Sequence, residues 1–205
     1  MQAFDKIARE WNENRQAPIS PIPFFLKFVR KDDRILDAGC GNGRNLVEIA
    51  RNCGEAYGMD SSTEMVNFCR ENLMLKGTRN AGCLAGNIMG MPFSDGFFDK
   101  VFSAAVIHHL GKQEQPLAVK EFFRVLKRSG SVFATVWAEN RLKEGNEGHV
   151  KWGEVQRYHY FYKKGELEEL FRDAGFDVTE LFFERNGKRV PEEEGQNIVL
   201  IAKKP

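Results

Sequence analysis

Residues 35–43 run Ile-Leu-Asp-Ala-Gly-Cys-Gly-Asn-Gly, a short apolar segment that leads into three alternating glycines. This pattern predicts a buried strand followed by a cofactor-binding turn at the start of a helix. Gly39, Gly41 and Gly43 permit a bend that requires residues without a Cβ, and they let backbone N–H groups approach a ligand. Glycine clusters also form ordinary turns, so the neighbouring residues must decide between the two interpretations.

Two acidic residues near the glycines indicate the ligand. Dinucleotide-binding turns space their glycines as G-x-G-x-x-G, whereas this chain has G-x-G-x-G. Asp37 precedes the first glycine, where a carboxylate would repel a pyrophosphate but would suit an ammonium group. Asp60 ends a second apolar run and is placed to accept ribose hydroxyls, although a lone Asp after a strand also serves as a helix cap. S-adenosylmethionine combines a ribose, an amino acid tail and no phosphate, and residues 30–137 resemble the class I methyltransferases that use it.

Length and charge limit the organisation of the chain. The 205 residues carry a formal net charge of +1, so no global field attracts nucleic acid and a polyanion would have to be held locally. The length predicts a single methyltransferase domain over 1–205. We divide it into N-terminal helices (1–30), a cofactor-binding core (31–137), a substrate loop (138–162) and a C-terminal helix with a hairpin (163–205).

Apolar runs and cysteines indicate the compartment. No run approaches the roughly 20 apolar residues of a membrane span, and the N-terminus lacks the apolar region of a signal peptide. The four cysteines form no C-x-x-C pair, so we expect neither a disulfide framework nor a metal site. We therefore predict a cytoplasmic protein with no membrane partner and reduced thiols at Cys40, Cys53, Cys69 and Cys83.

Strand-like and helix-like periodicities alternate along the chain, which predicts an α/β fold. We expect strands near 34–38, 55–59, 81–85, 99–105, 131–137, 176–183 and 196–202. Helices are expected near 4–14, 21–30, 43–52, 62–75, 114–127 and 164–174, the second with Ser20 as its cap and Pro21 at its first position. The resemblance then implies a Rossmann-like seven-stranded sheet, mostly parallel with one antiparallel strand, with helices on both faces and strand 81–85 at one edge.

The class I resemblance also implies which residues hold the cofactor. Asn87 lies where the family usually has an acidic residue that accepts the adenine amino group, and its side-chain carbonyl keeps an acceptor for that bond. Apolar adenine walls are carried over to Ser61, Met65 and Ile88. The remaining predicted cofactor residues are Asp37, Gly39, Cys40, Gly41, Asn42, Gly43, Asp60, Ala104 and His109.

The end of the fourth strand indicates the acceptor. Enzymes that methylate base amines commonly carry Asn/Asp-Pro-Pro-aromatic there, and residues 103–110 lack that motif. The acceptor atom is therefore expected to be oxygen, carbon or sulfur. His108 and His109 could serve as a base and an orienting group, or either could pack structurally against the cofactor loop.

Segments at both ends of the chain indicate which methyltransferases the chain resembles most specifically. Residues 4–8, 11–15, 136–138, 157–161 and 165–167, together with 40–43 and 105–110, resemble the tRNA wobble-uridine 5-carboxymethyl methyltransferase family. The resemblance extends over nearly the whole chain. It implies that the protein uses S-adenosylmethionine to esterify the carboxylate of 5-carboxymethyluridine at the tRNA wobble position.

A carboxylate acceptor needs little chemical activation. It is ionised near pH 7 and is its own nucleophile, so catalysis by positioning suffices. We expect Arg15 and Arg157 to hold this carboxylate or nearby phosphates, since a guanidinium matches either group bidentately. Trp137, Tyr158 and His159 could contact a flipped uracil, or Trp137 could be core and Tyr158 part of an aromatic stripe that packs a loop.

Two further expectations concern flexibility and a partner. Residues 138–156 are polar and contain glycines, which predicts a mobile loop over the substrate entrance. The family works with a small zinc-binding activator that adds a strand to the sheet. Residues 81–86 carry no charge, although exposed edge strands are normally guarded, so the activator is expected to pair along residues 80–88.

Two other functions remain open at this point. A small-molecule methyltransferase of the quinone or sterol type would share the central motifs and the His108-His109 neighbourhood. A regulatory protein would bind S-adenosylmethionine and transfer nothing. A steep salt dependence of tRNA binding would distinguish a tRNA enzyme from the small-molecule enzyme.

Overall fold

The glycine motif lies at the centre of an eight-stranded sheet. The computed structural model describes residues 3–139 and 146–205. Its strands are β1 (Arg34–Ala38), β2 (Glu55–Asp60), β3 (Ala81–Ala85), β4 (Phe98–Ala104), β5 (Leu126–Trp137), β6 (Glu147–Trp152), β7 (Val155–Tyr160), β8 (Asp177–Arg185), β9 (Lys188–Val190) and β10 (Asn197–Lys203). Its helices are α1 (Ala3–Asn14), α2 (Ile22–Leu26), α3 (Arg44–Ala50), α4 (Thr63–Leu75), α5 (Gln115–Val125) and α6 (Lys164–Asp173).

The sheet order is β3-β2-β1-β4-β5-β10-β8-β9. Strands β1 to β5 pair in parallel, and β10 runs antiparallel between β5 and β8. The predicted α/β class, the mostly parallel sheet and the edge position of β3 are confirmed. The expected count of seven strands is wrong by one, because β9 adds an edge strand to β8.

Two core clusters cover the two faces of the sheet. Neighbouring residues of β1 point to opposite faces, so Ile35 packs with α2, α3 and α4 while Leu36 packs with α5 and α6. Strand β10 behaves in the same way, with Val199 on the first face and Leu200 on the second. Burial on both faces explains the continuous apolar runs of these strands.

The second helix is shorter than predicted. Helix α2 begins at Ile22 with Pro21 at its N-cap position, and no side chain caps it. Ser20 instead donates its hydroxyl to Glu184 Oε1 at 2.9 Å, because the buried Glu184 carboxylate needs donors. The predicted Ser20 cap and the helix over 21–30 are therefore wrong, whereas Ser62 does cap α4 by accepting the Met65 N–H.

Much of the expected substrate loop is regular structure. Strands β6 and β7 form an antiparallel hairpin whose two-residue turn begins with Gly153 at φ +56°. The prediction of a loop through residue 156 is wrong for 147–156, since alternating side chains and a glycine turn favour a hairpin there. Residues 140–145 lie outside the described part. Among the described residues, no helix is long and apolar enough to cross a membrane.

Candidate active site

A cavity of about 940 Å³ opens at the carboxyl ends of β1, β2 and β4, where ligands bind in open α/β sheets. The predicted cofactor residues line it, with the exceptions of Asp37 and Gly43. The predicted catalytic residues also line it, with the exception of His159. The sheet thus brings most of the predicted site residues together.

The glycine turn shapes the floor of this cavity. Gly39 has φ +86°, and a Cβ there would lie 2.2 Å from Val106 Cγ2, so only glycine fits. Gly41 has φ +52°, and a Cβ there would meet nothing within 4 Å, so the turn stays open to the cavity at this position. Gly43 instead packs against Cys69 at the start of α3, which explains why it does not line the cavity.

Two backbone hydrogen bonds fix the carboxylate of Asp60 at the end of β2. Its Oδ2 accepts the Gly41 N–H at 2.8 Å, and its Oδ1 accepts the Ser62 N–H at 2.9 Å. Burial raises the pKa of this carboxyl, and both backbone hydrogen bonds oppose that rise. The arrangement ties the glycine turn to the cap of α4 and leaves the remaining carboxylate lone pairs for hydroxyl donors.

Asp37 is buried, and neither of its carboxyl oxygens has a hydrogen-bond partner in the described part of the chain. Burial, followed by the charge of Asp60, raises its pKa to about 8, while Arg44 opposes the rise. A cationic ligand placed nearby would relieve this carboxyl. Asp37 lies outside the cavity lining, but its buried charge would favour the ammonium group of S-adenosylmethionine nearby. The open turn at Gly41 and the acceptor oxygens of Asp60 fit the close approach and the ribose hydroxyls of the same cofactor.

Asn87 differs from its expected role in one respect. Its Oδ1 accepts the Met89 N–H at 2.9 Å, which closes a local turn after β3. The second lone pair of this oxygen still allows a further donor, so the predicted adenine contact stays a prediction.

Three histidines pack at the end of β4 and on β7. His109 Nδ1 lies 3.0 Å from the Tyr158 carbonyl and His159 Nδ1 lies 2.9 Å from the Arg157 carbonyl, so both Nδ1 atoms carry protons. His108 Nδ1 accepts the Trp137 N–H at 3.2 Å, which places its proton on Nε2.

These tautomers define what the histidine cluster can do. Ligand atoms of the three rings lie within 4.8 Å of one another, a spread compatible with a metal ion. The proton on His108 Nε2 disfavours that use, since a metal ligand needs a bare nitrogen. Burial, followed by the charge of His159, lowers the pKa of His109 to about 3, so His109 is a weak base and the packing alternative is favoured for it.

His159 does not reach the cavity. It is fully buried, and its ring stacks on Trp137 with centroids 4.5 Å apart and planes 17° apart. The expectation that His159 contacts a uracil directly is therefore not supported by its position. Trp137 and Tyr158 do line the cavity, and the Tyr158 hydroxyl donates to Glu147 Oε2 at 2.7 Å.

Three arginines line the cavity: Arg15, Arg44 and Arg157. Burial, then the charge of Arg15, lowers the pKa of Arg157. The same two causes lower the pKa of Arg44 to about 10. In the described part of the chain, no carboxylate lies within 4 Å of the Arg15 or Arg157 guanidinium. This part of the cavity is suited to an anion.

Sequence reasoning missed several of these lining residues. Arg44 directly follows the glycine motif, and that position could have signalled it. Phe4 and Trp11 were not assigned, because an aromatic residue on a helix face is most simply core. Ala105, at the end of β4, has φ +59°, a conformation that a non-glycine residue adopts at a cost and that often marks a functional site.

Comparisons with known proteins agree with this geometry. Residues 36–134 match the model of a methyltransferase domain. A putative methyltransferase from Encephalitozoon cuniculi is 31% identical over 192 residues, covering 86% of each chain. The fold and cavity define an S-adenosylmethionine-dependent methyltransferase of class I. The chain belongs to this methyltransferase family.

Other relatives have names that state the acceptor they methylate. A tRNA (carboxymethyluridine(34)-5-O)-methyltransferase from Schizosaccharomyces pombe is 27% identical and covers 90% of this chain and 91% of its own. The alkbh8 enzyme of the same name from Xenopus tropicalis is 32% identical over 73% of this chain, which spans only 23% of that relative.

Solved structures show the same fold. A methyltransferase from Methanosarcina mazei superposes with a TM-score of 0.77 at 23% identity, covering 89% of this chain and 97% of its own. A putative methyltransferase solved in complex with the Haloferax volcanii Trm112 methyltransferase activator gives a TM-score of 0.78 at 20% identity, covering 98% and 97%.

Proposed function

We propose that this enzyme transfers a methyl group to the carboxylate of 5-carboxymethyluridine at the tRNA wobble position and forms a methyl ester. The observation that carries the proposal is the pair Arg15 and Arg157, which lines the cofactor cavity without a carboxylate partner in the described part of the chain. The printed names of the relatives support the same acceptor.

The chemistry asks the protein mainly for alignment. S-adenosylmethionine supplies an electrophilic methyl on a sulfonium, and the ionised acceptor supplies its own nucleophile. Arg15 and Arg157 hold the carboxylate and limit its freedom, which is catalysis by positioning. Their hold must stay moderate, because the acceptor loses its charge during transfer and tight ground-state binding would slow the reaction.

The aromatic residues around the cavity suit a base. Trp137 lines the cavity and is backed by His159, so its ring has a fixed orientation. Tyr158 lines the cavity beside it. Stacking of a splayed-out base on such rings is a common mode of recognition of single-stranded RNA.

A second candidate uses the same arginine pair with a smaller acceptor. A malonyl-[acyl-carrier protein] O-methyltransferase from Erwinia pyrifoliae is 31% identical over 76% of this chain and 56% of its own. A malonyl group also presents a free carboxylate. This candidate differs from the tRNA enzyme in its carrier and not in its anionic acceptor.

The test is transfer of labelled methyl from S-adenosylmethionine to bulk tRNA, followed by mild alkali. Alkali-labile label in tRNA is expected, because an ester hydrolyses under conditions that leave methylated bases intact. Label in a malonyl carrier alone would favour the second candidate. Cofactor binding without transfer to either acceptor would favour another small-molecule acceptor or a regulatory role.

The edge strand β3 supports the proposed partner, a small zinc-binding activator. Its sequence Ala-Gly-Cys-Leu-Ala carries no charge and it forms one end of the sheet. Gly82 is exposed, and a Cβ there would meet nothing within 4 Å. An open, uncharged edge is suited to strand addition along residues 80–88.

The partner can be tested with a charge on that edge. Gly82→Lys should abolish co-purification with the activator, because a lysine guards an edge against strand pairing. Gly165→Lys on α6 is the matched control, since a Cβ there also meets nothing within 4 Å. Retention of the activator by the Gly82 variant would place the interface elsewhere.

A further inference from the structure

Two tryptophans bring the arginine pair together. Trp11 lies on α1 and Trp152 lies at the end of β6, and their ring centroids are 5.0 Å apart. The Arg15 Cζ lies 5.2 Å from the Trp11 ring and 5.4 Å from the Trp152 ring. The Arg157 Cζ lies 5.5 Å and 5.7 Å from the same two rings. Both guanidiniums thus share one pair of indoles.

This arrangement holds two like charges close to one pair of rings. Arg157 is only 5% exposed, and its Nε is buried without a hydrogen-bond partner in the described part of the chain. Burial and the charge of Arg15 both lower the pKa of Arg157, which means that both disfavour its charged form. Cation–π attraction to the two indole rings offsets part of that cost. An anion bound beside the two guanidiniums would offset the rest of the cost of burying the Arg157 charge.

The four residues lie outside the general methyltransferase region. The family model covers residues 36–134, whereas Trp11 and Arg15 precede it and Trp152 and Arg157 follow it. They come from an N-terminal helix and its end, and from a hairpin, which pack against each other. The shared core therefore supplies most of the cofactor cavity, and these additions contribute Trp11, Arg15 and Arg157 to its lining, while Trp152 contacts both guanidiniums.

We propose that Trp11 and Trp152 are positioning residues that hold Arg15 and Arg157 as one anion clamp, and that this clamp selects an acceptor bearing a carboxylate over a neutral isostere. The proposal rests on the proposed function. A neutral acceptor would leave two cations beside each other without compensation, whereas a carboxylate accepts hydrogen bonds from both. The indoles keep the guanidiniums from turning separately into solvent.

The test compares two nucleosides that differ in one group. We would titrate 5-carboxymethyluridine and 5-carbamoylmethyluridine into the full chain saturated with S-adenosylhomocysteine and measure heat. The wild type should bind the carboxylate at least tenfold more tightly than the amide. Trp152→Ala should bind the carboxylate at least tenfold more weakly and leave the amide unchanged, whereas Trp152→Phe should stay within threefold of wild type.

Controls separate positioning from folding. The control Phe28→Ala removes an aromatic side chain that is 44% exposed, and this variant should bind both nucleosides as the wild type does. S-adenosylmethionine affinity should change by less than twofold in every variant. Equal affinity of the wild type for both nucleosides, an unchanged preference in Trp152→Ala, or parallel loss of cofactor and nucleoside binding would overturn the clamp.

The two proposals fail in different ways. A carboxylate preference that depends on Trp152, without label in tRNA, would keep the clamp and remove the tRNA function. Alkali-labile label in tRNA with no effect of Trp152→Ala on the preference would keep the function and remove the clamp.

Discussion

At the residue scale, Asp37 links cofactor binding to the stability of the empty protein. Its carboxyl ionises near pH 4 in an unfolded chain, and burial raises its pKa to about 8 in the fold. Between these values the folded form holds the extra proton, so stability falls as pH rises. A cationic ligand reverses the effect by favouring the charged form.

Asp37→Asn should therefore change stability and cofactor affinity in opposite directions. At pH 8 the empty variant should melt at a higher temperature, by roughly 2–4 °C for each kcal/mol of relieved burial. Its S-adenosylmethionine affinity should fall about tenfold, equivalent to 1.4 kcal/mol. Thermal melts and titration calorimetry measure both, with the exposed Asp32→Asn as control. A lower melting temperature together with unchanged affinity would contradict the assignment.

Arg157 should act on transfer and not on cofactor binding. Arg157→Ala should lower methyl transfer to tRNA by about 10- to 100-fold, the range expected for losing a charged hydrogen bond. Arg157→Lys should recover only part, because an ammonium does not bind a carboxylate bidentately. Arg128→Ala, at an exposed position, is the control. Equal loss of transfer and cofactor binding would remove Arg157 from the acceptor site.

At the scale of elements, the cap of α4 joins three parts of the site. Ser62 is buried, accepts the Met65 N–H at 3.1 Å and donates to Asp5 Oδ1 at 2.6 Å. Its own N–H bonds Asp60. The Ser62 hydroxyl therefore connects α1 to α4, the helix that follows Asp60.

Ser62→Ala should destabilise the protein by about 1–2 kcal/mol, since it removes a cap and the shorter of the two hydrogen bonds to Asp5 Oδ1. Urea unfolding measures the loss, and the neighbouring exposed Ser61→Ala serves as control. Both variants should retain an unchanged slope with denaturant. Equal free energies of unfolding for the two variants would show that the Ser62 hydroxyl does not contribute to stability.

At the scale of the whole molecule, a net charge of +1 gives no long-range attraction for RNA. Binding of tRNA then depends on local contacts such as those of the three cavity arginines. The Michaelis constant for tRNA should rise steeply with salt, while that for S-adenosylmethionine should change little. Transfer assays between about 50 and about 200 mM salt measure both Michaelis constants. A flat tRNA response would favour the small acceptor.

Local patterns led to residues that the fold brings to the cavity. Gly39, Gly41 and Asp60 lie close in sequence to the strand ends that present them, so spacing alone located them. The same logic missed β9, although Asn186-Gly187 with φ of +53° and +77° is a strong hairpin signal. The hairpin β6–β7 was missed because polar residues and glycines suggested a loop.

The acceptor side depends on contacts between distant segments. Trp11 and Trp152 lie 141 positions apart (152 minus 11), and no periodicity relates them. They meet because α1 packs against β7 over the open end of the sheet. The burial that favours His109 as a packing residue is likewise a property of the folded environment.

The sequence by itself determined the methyltransferase fold, the glycine turn and the position of Asp60 at the end of β2, since strand periodicity and glycine spacing act over a few residues. Only the tertiary structure decided which aromatic residues contact the arginines, which histidine is sealed from the cavity and that Asp37 has no hydrogen-bond partner among residues 3–139 and 146–205. Those properties arise from burial and from the meeting of remote side chains, and local sequence does not encode either one directly.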